Sequence, residues 1–477
     1  MPPICATCSA YPVERKIMAD LIVTNAYLVT MDRERRIFTD GAVAIEGRNI
    51  VAVGRTRDVL AQHRAPHVID AGGKMVMPGL IDGHNHAFQY LSKGIGDDVD
   101  IMTWLYKRVY PYETHVTAEE AYVGALGNYV QMIKSGTTCF NEPGGYHVDA
   151  LARAATDTGI RGILNRSTRD IADQGAPLPE KLFEKLEVNL TEGEAAVRRW
   201  NGSADGRLRC WFSLRYVFNV SDELCTSIKR LADQYKVGIH AHAAAVEGEN
   251  EAIEERFGKR SLERFHDLGL FGPNLYLVHM GYPNERELGW LKENDVKIAH
   301  CPSASMHGAY GVIGNRMMKR MIEEGLCISL GTDSATAGRF LDMVRVMYLA
   351  ACAHRDQFAD ATIMGAYKAM EMATIQGARA CLWDDEIGSL EVGKRADLIV
   401  VGMEGLHWHP NLDPVRSLVY AADGNDVRTV IIDGRVVMKD RVLVTVDEEK
   451  IRRDVIAAGK AWSGRAGMKL EVPWPVY

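Results

Sequence analysis

The chain has 477 residues, 47% hydrophobic and 25% charged, an ordinary balance for a globular enzyme with room for a large core and a second, smaller unit. A net charge of −7 without any basic stripe excludes a nucleic-acid partner, and no apolar run approaches the roughly 20 residues of a membrane helix. Nine scattered cysteines, an odd number, argue against a disulfide framework and for a reducing cytoplasm.

Residues 1–18 read as an extension, expected to be disordered. They lack the basic start and long apolar segment of a signal peptide, and Cys5-x-x-Cys8 has no second pair to complete a metal knuckle. Residues 19–76 carry short alternating runs broken by turn residues, such as Asp20-Leu21-Ile22-Val23-Thr24, and predict a small antiparallel β unit. Residues 77–394 alternate strand-like runs with amphipathic segments. Helices are expected over 118–134 and 222–235, and strands over 159–164, 208–214, 237–242, 275–279, 296–300 and 327–330. That alternation points to an α/β fold with a parallel sheet, and a distorted (β/α)8 TIM barrel fits the number of runs. Residues 395–445 return to strands (396–401, 427–432 and 435–437) and are expected to pair with residues 19–76 as one β-sandwich split by the barrel. Residues 446–477 form a terminal helix, over 448–462, and a tail.

In a barrel the chemistry sits where strands end. The first strand-like run ends in His84-Asn85-His86, and side chains at i and i+2 of a strand project the same way, so both imidazoles reach one cation. After the second run come Asn141 and Glu142. Glu142 reads first as a helix cap or solvated carboxylate and second as a substrate contact. Arg166 and Arg169 follow the third run, and Arg215 and Tyr216 end the fourth; the arginines either touch substrate or pair with Glu142. No lysine ends the third or fourth run, which favours one metal over a pair bridged by a carbamylated lysine. On the fifth run His242 is the third imidazole ligand, and His240, one layer deeper, a buried hydrogen-bonded histidine. His279 and His300 end the sixth and seventh runs, His300 being placed among the substrate contacts. Asp333, just past the eighth, joins the metal and holds its water. The aromatic stretch from Met102 to Glu113 either packs as an ordinary amphipathic helix or walls a pocket for a flat apolar molecule with Phe88, Trp104 and Tyr110. His407-x-His409 lies outside the barrel runs and is given no role.

At these residues, and at Gly136-Thr137-Thr138, Ala299-His300-Cys301-Pro302-Ser303, Gly331-Thr332-Asp333, the stretch Met372 to Ala380 and the stretch Ile387 to Asp397, the chain resembles the amidohydrolase superfamily in its branch of triazine hydrolases and aromatic deaminases. The resemblance runs from Met18 to about Val444 and implies the barrel with a split sandwich. By motif, His84, His86, His242 and Asp333 correspond to metal ligands, and His279 to the histidine that polarises the substrate or joins the metal. The implied cofactor is one divalent ion per subunit, zinc first, with iron, cobalt or manganese tolerated.

Deaminases of this branch carry His-x-x-Glu after the fifth strand, the glutamate protonating a ring nitrogen. Here that place is Ala245, with Glu247 the nearest stand-in, and the Asn usual after the seventh motif is missing from Ser303-Ala304-Ser305. Losing that acid hurts attack on a ring carbon more than attack on a carbonyl. The expected reaction is therefore cleavage of an amide, urea or (thio)carbamate C–N bond, with Asp333 moving the proton and His279 facing the oxyanion. A looser likeness to phenylurea and thiocarbamate hydrolases, and hence xenobiotic breakdown, agrees with this. The alternative is a deaminase or dechlorinase of a triazine, purine or pyrimidine, with Glu247 as acid. A small-molecule substrate and a homo-oligomer are the expected partners.

Overall fold

The computed structural model describes residues 16–172, 178–468 and 472–475. Cys5-x-x-Cys8 and most of the expected extension lie outside the described residues. The first flanking strands are β1 (Leu21–Val29), β2 (Ile37–Glu46), β3 (Asn49–Arg55), β4 (His67–Asp70) and β5 (Lys74–Pro78). The barrel strands follow as β6 (Leu80–Asp82), β7 (Thr137–Asn141), β8 (Arg161–Arg166), β9 (Leu208–Tyr216), β10 (Ile239–Ala243), β11 (Leu275–His279), β12 (Lys297–His300) and β13 (Ile328–Leu330). Then come β14 (Leu398–Gly402), β15 (Val427–Ile432), β16 (Arg435–Lys439) and β17 (Val442–Leu443).

Strands β6 to β13 form an eight-stranded parallel sheet in chain order. It comes round on itself: Gly83 N donates to Leu330 O, and Asp333 N to His84 O, each at 2.8 Å. The expected (β/α)8 barrel is therefore present, with the edges of the strands expected over 159–330 within two residues of the observed ones. At Gly83 the chain passes too close to Tyr276 and Ser329 for any side chain, and Tyr276 Oη donates to Gly83 O at 2.7 Å. Glycine here is a packing requirement of the strand that carries the His pair.

The helices outside the barrel form for local reasons. Thr117 and Glu120 make a capping box for α1 (Ala118–Lys134). Ser221 caps α2 (Asp222–Tyr235), whose buried Leu224, Cys225, Ile228 and Ala232 recur at helical spacing. Further on lie α3 (Glu249–Phe257), α4 (Met343–Phe358) and α5 (Glu448–Arg465).

The flanking strands make one nine-stranded sheet, ordered β17-β16-β15-β14-β5-β1-β2-β3 with β4 on β1. The two halves join where Pro78, Met77 and Val76 of β5 pair antiparallel with Leu398, Ile399 and Val400 of β14. The first half is not purely antiparallel as expected: β4 and β5 both run parallel to β1. The sheet also curls on itself, so that Ile50 N donates to Lys394 O at 2.8 Å and Arg48 lies 3.5 Å from Asp433. It thereby encloses a core of Val23, Val43, Ile45, Leu398 and Ile431, the job expected of a sandwich. The sheet is bolted to the barrel by Arg161 at the start of β8, whose Nε lies 2.6 Å from Asp397 and whose Nη2 lies 3.1 Å from Asp433. No described helix is long and apolar enough to cross a membrane, and the cysteines among the described residues are free thiols.

Candidate active site

Ends of strands from opposite sides of the barrel bring the donors together. His84 and His86 follow β6, His242 lies in β10, His279 ends β11, and Asp333 follows β13. Donor atoms of His84, His86 and His242 lie within 4.8 Å of one another, as do those of His84, His279 and Asp333. Asp333 Oδ1 is 3.6 Å from Nε2 of both His84 and His86, and its Oδ2 is 4.0 Å from His279 Nε2. Each of the five is at most 5% exposed. Two leave their strands in the left-handed region, His279 at φ 74° and Asp333 at φ 60°, an arrangement that side chains rarely adopt without a reason imposed by their surroundings.

The hydrogen bonds behind the donors set which nitrogen faces inward. Asn141 Oδ1 lies 3.1 Å from His240 Nδ1, and His240 Nε2 lies 3.1 Å from His84 Nδ1. An amide oxygen can only accept, so His240 carries its proton on Nδ1 and takes one from His84 Nδ1–H. That leaves His84 Nε2 as a bare acceptor, and it is buried with no hydrogen-bond partner among the described residues. His242 Nδ1 donates to Arg215 O at 2.8 Å, which frees its Nε2 in the same way. Buried imidazoles held with an unprotonated nitrogen inward are the form that binds a cation. Burial, with Arg215 next in order, holds His86 well below its ordinary pKa. Burial and the neighbouring His84 do the same for His240 and His242. His279 is pushed down to about 4, chiefly by burial. Burial alone would raise Asp333, but the neighbouring His84 and His279 and the Ser334 amide, which donates to it at 2.8 Å, outweigh this and keep it below the usual carboxylate range. The donor set fits a divalent metal.

Asn85 and Asp82, which the sequence reading passed over, lock the two halves of this set. Asn85 Nδ2 donates to Asp333 O at 2.9 Å, and Asp82 accepts from Thr332 N at 3.0 Å and His84 N at 3.2 Å. Burial raises Asp82 to about 7.

The expected substrate contacts divide. Phe88 lies against His86, with ring centroids 6.1 Å apart, and Tyr216 against His242 at 4.8 Å. Trp104 is half-buried beside Gly96, His307 and Tyr310, inside a helical stretch over residues 101–115. Tyr310, unremarked in the sequence, faces His279 at 5.3 Å. His300 is turned away: its Nε2 lies 3.1 Å from His354 of α4. Glu142 is fully buried rather than solvated. It accepts from Ala87 N at 2.6 Å and is raised to about 8, chiefly by burial. Glu247, the stand-in for the missing acid, is exposed. The buried carboxylate of that loop is Glu249, which accepts from Ala244 N at 2.9 Å and Ala245 N at 2.7 Å. None of these side chains lines the cleft that runs along α5 past Tyr90, Lys134 and Asp342.

The arginines do not pair with Glu142. Arg166 binds Glu184 at 2.7 Å, while Arg169 and Arg215 both bind Glu113, at 2.8 and 2.9 Å. Gln89 Nε2 adds a bond to Glu113 at 3.1 Å. Arg215 Nη1 also reaches Gly144 O at 3.0 Å and lies 3.2 Å from His86 Nδ1. Glu113 carried no distinguishing signal in the sequence, because its partners Arg169 and Arg215 come from far along the chain.

A model of the Amidohydrolase family matches residues 75–437. The chain is 35% identical to a 5'-deoxyadenosine deaminase of Methanosarcina acetivorans over 449 residues, 94% of this chain and 100% of the relative. It is 31% identical to a 5-methylthioadenosine/S-adenosylhomocysteine deaminase of Acetivibrio thermocellus, covering 91% and 98%. Among solved structures, an adenosine deaminase from Xanthomonas campestris with bound zinc superposes with a TM-score of 0.86 at 27% identity, covering 95% of this chain and 100% of that one. An atrazine chlorohydrolase from Arthrobacter aurescens, at 22% identity and TM-score 0.84 over 92% and 100%, shows the same fold. These likenesses give no support to a special closeness to phenylurea or thiocarbamate hydrolases, or to xenobiotic breakdown. With its barrel, its curled flanking sheet and its inward-facing imidazoles, the chain belongs to the amidohydrolase family, hydrolases of carbon–nitrogen bonds other than peptide bonds.

Proposed function

We propose that this protein is a metal-dependent deaminase of a nitrogen heterocycle of the purine-nucleoside type, releasing ammonia. The observation that carries this reading is its end-to-end likeness to relatives named as 5'-deoxyadenosine and 5-methylthioadenosine/S-adenosylhomocysteine deaminases. His84, His86, His242 and Asp333 would hold the ion, with His279 beside them. Such an ion, zinc first, supplies Lewis acidity and an acidified water. Asp333, kept ionised by its surroundings, takes a proton from the attacking water and delivers it to the leaving nitrogen. His279 stands on the far side of Asp333, placed to bond the oxygen or nitrogen that gathers charge.

One observation favours a second reading. Ala245 stands where a ring-protonating acid belongs, and the exposed Glu247 is poorly placed to replace it. Hydrolysis of an amide, urea or (thio)carbamate needs no ring protonation, so this loop suits it better.

The test is to load purified protein with zinc and measure ammonia from 5'-deoxyadenosine, 5'-methylthioadenosine and S-adenosylhomocysteine, beside amine release from amides, ureas and carbamates. Ammonia from the adenine compounds supports the first reading. Amine release with no ammonia replaces it with the second.

A further inference from the structure

Attack on a heterocycle carbon loads electrons onto the neighbouring ring nitrogen. The loop after β10 offers little to meet them, since residue 245 is alanine and Glu247 is exposed. The loop after β12 carries a different donor. Tyr310 is 6% exposed, and its ring stands edge to face against that of His279, centroids 5.3 Å apart at 83°. Its backbone is tied at both ends: Tyr310 N donates to Ser305 O at 2.9 Å, and Tyr310 O accepts from Tyr282 Oη at 3.0 Å. A side chain on Gly308 would meet the Tyr310 ring at 2.3 Å, and one on Gly311 would meet the Tyr282 hydroxyl at 2.2 Å. The loop is bare at both places, and the tyrosines fill the room.

The Tyr310 hydroxyl has no hydrogen-bond partner among the described residues. A buried tyrosine normally finds one, because an unmatched hydroxyl loses its water for nothing. Burial and the nearby Asp333 charge keep this phenol protonated. A narrow cavity lined by Gly96, Val99, Trp104, His307 and Gly308 also touches Tyr310, so the loop borders open space there. The other phenol at the mouth, Tyr216, offers its ring face instead. It lies 4.8 Å from the His242 ring at 38° and 5.5 Å from the Arg215 guanidinium.

We propose that Tyr310 stands in for the missing acid, donating its O–H to the ring nitrogen beside the carbon under attack. This rests on the deaminase reading. As the water oxygen bonds to that carbon, one water proton passes to Asp333. The C=N electron pair moves onto the nitrogen, which takes the Tyr310 proton. The Asp333 proton then joins the departing amine, the exocyclic C–N bond breaks, and the proton of the new C–OH returns to the phenolate. Substrate and water become a ring carbonyl and ammonia, with both side chains restored. A nitrogen that has just gained an electron pair is a stronger base than a phenolate, so a phenol suffices as the donor.

The experiment uses zinc-loaded protein and two ligands without a leaving amine: purine ribonucleoside and its 1-deaza analogue, which lacks that nitrogen. By calorimetry the purine compound is expected to bind at least about tenfold more tightly, a ratio equal to roughly 1.4 kcal/mol. Tyr310→Phe, which keeps the ring, should bring the ratio within about twofold of one and cut ammonia release roughly 10²-fold. Its zinc content and its affinity for the 1-deaza compound should hold, which a packing role would not allow. A wild-type ratio within about twofold of one, or a ratio that Tyr310→Phe leaves unchanged, overturns the proposal. Tyr310→Leu is read in the same way should Tyr310→Phe fail to fold. A preference lost in the variant, with no ammonia from any adenine compound in the wild type, keeps the Tyr310 contact and rejects the deaminase. Ammonia release that the variant leaves intact does the reverse, and failure of both ligands to bind overturns both.

Discussion

Strand β8 has a buried arginine cluster at each end, and the two are closed differently. At its start, Arg161 gives Nε and Nη2 to Asp397 and Nη2 to Asp433, and Arg48 approaches Asp433 at 3.5 Å. Two guanidiniums meet two carboxylates. Beyond its end, Arg169 joins Arg215 on the lone carboxylate of Glu113, and several N–H groups are left over. The first cluster holds the curled sheet against the barrel, far from the imidazoles. The second borders the imidazoles, where a molecule has to enter and leave. The first cluster touches only the fold, whereas the second is in contact with His86 and so helps to set the candidate site.

The largest expected effect lies at the mouth. Asp333→Asn should lower kcat roughly 10²–10⁴-fold, the usual worth of a positioned proton-transfer group, with the fold intact by circular dichroism. Removing the metal with a chelator should abolish turnover and lower Tm, and added zinc should restore both.

Next come the clusters themselves. Arg161→Met strands two buried carboxylates and should destabilise the protein by about 3–5 kcal/mol in urea unfolding, with kcat of the folded enzyme unchanged. Glu113→Gln removes the carboxylate shared by Arg169 and Arg215 and should be comparably damaging, but with kcat of the folded enzyme also lowered, because Arg215 contacts His86. An unchanged kcat in folded Glu113→Gln would erase the distinction between the two ends.

A smaller effect follows from pH. His354, beside His300, is pushed down to about 4 by burial. Unfolded histidine titrates near 6.5, so between roughly 6.5 and 4 the unfolded chain binds a proton that the folded one refuses. Stability of the metal-free protein is therefore full above about pH 6.5 and falls as pH drops toward about 4. His354→Gln should flatten that fall in urea titrations, and an unaltered slope would contradict the assignment. The smallest effect is expected for Glu247→Gln, whose exposed side chain should leave kcat within about twofold.

Much of the candidate site was legible because strand geometry is local. A His-x-His pair ending an apolar run, and single His or Asp residues ending later runs, mark positions on one barrel rim before any contact is known. His240 was likewise readable as the deeper, hydrogen-bonded member of its pair, and the structure places it behind His84. Glu249 was not readable. Nothing in Glu247-Gly248-Glu249 says which acid turns inward; that depends on the loop bringing the Ala244 and Ala245 amides to one carboxylate. His300 shared the pattern of its neighbours but turned toward α4, a choice made by packing.

The sequence by itself determined the barrel, the split flanking sheet and the rim positions of the five candidate ligands, since period-2 strands and turn residues act over a few residues at a time. Only the tertiary structure decided the charge balance. Glu113 lies in the helical stretch after the first barrel strand, Arg169 follows the third and Arg215 ends the fourth, and Arg161, Asp397 and Asp433 span the barrel and the sheet. Whether such charges cancel is settled by Coulomb interactions across space at low dielectric, and spacing along the chain carries no record of it.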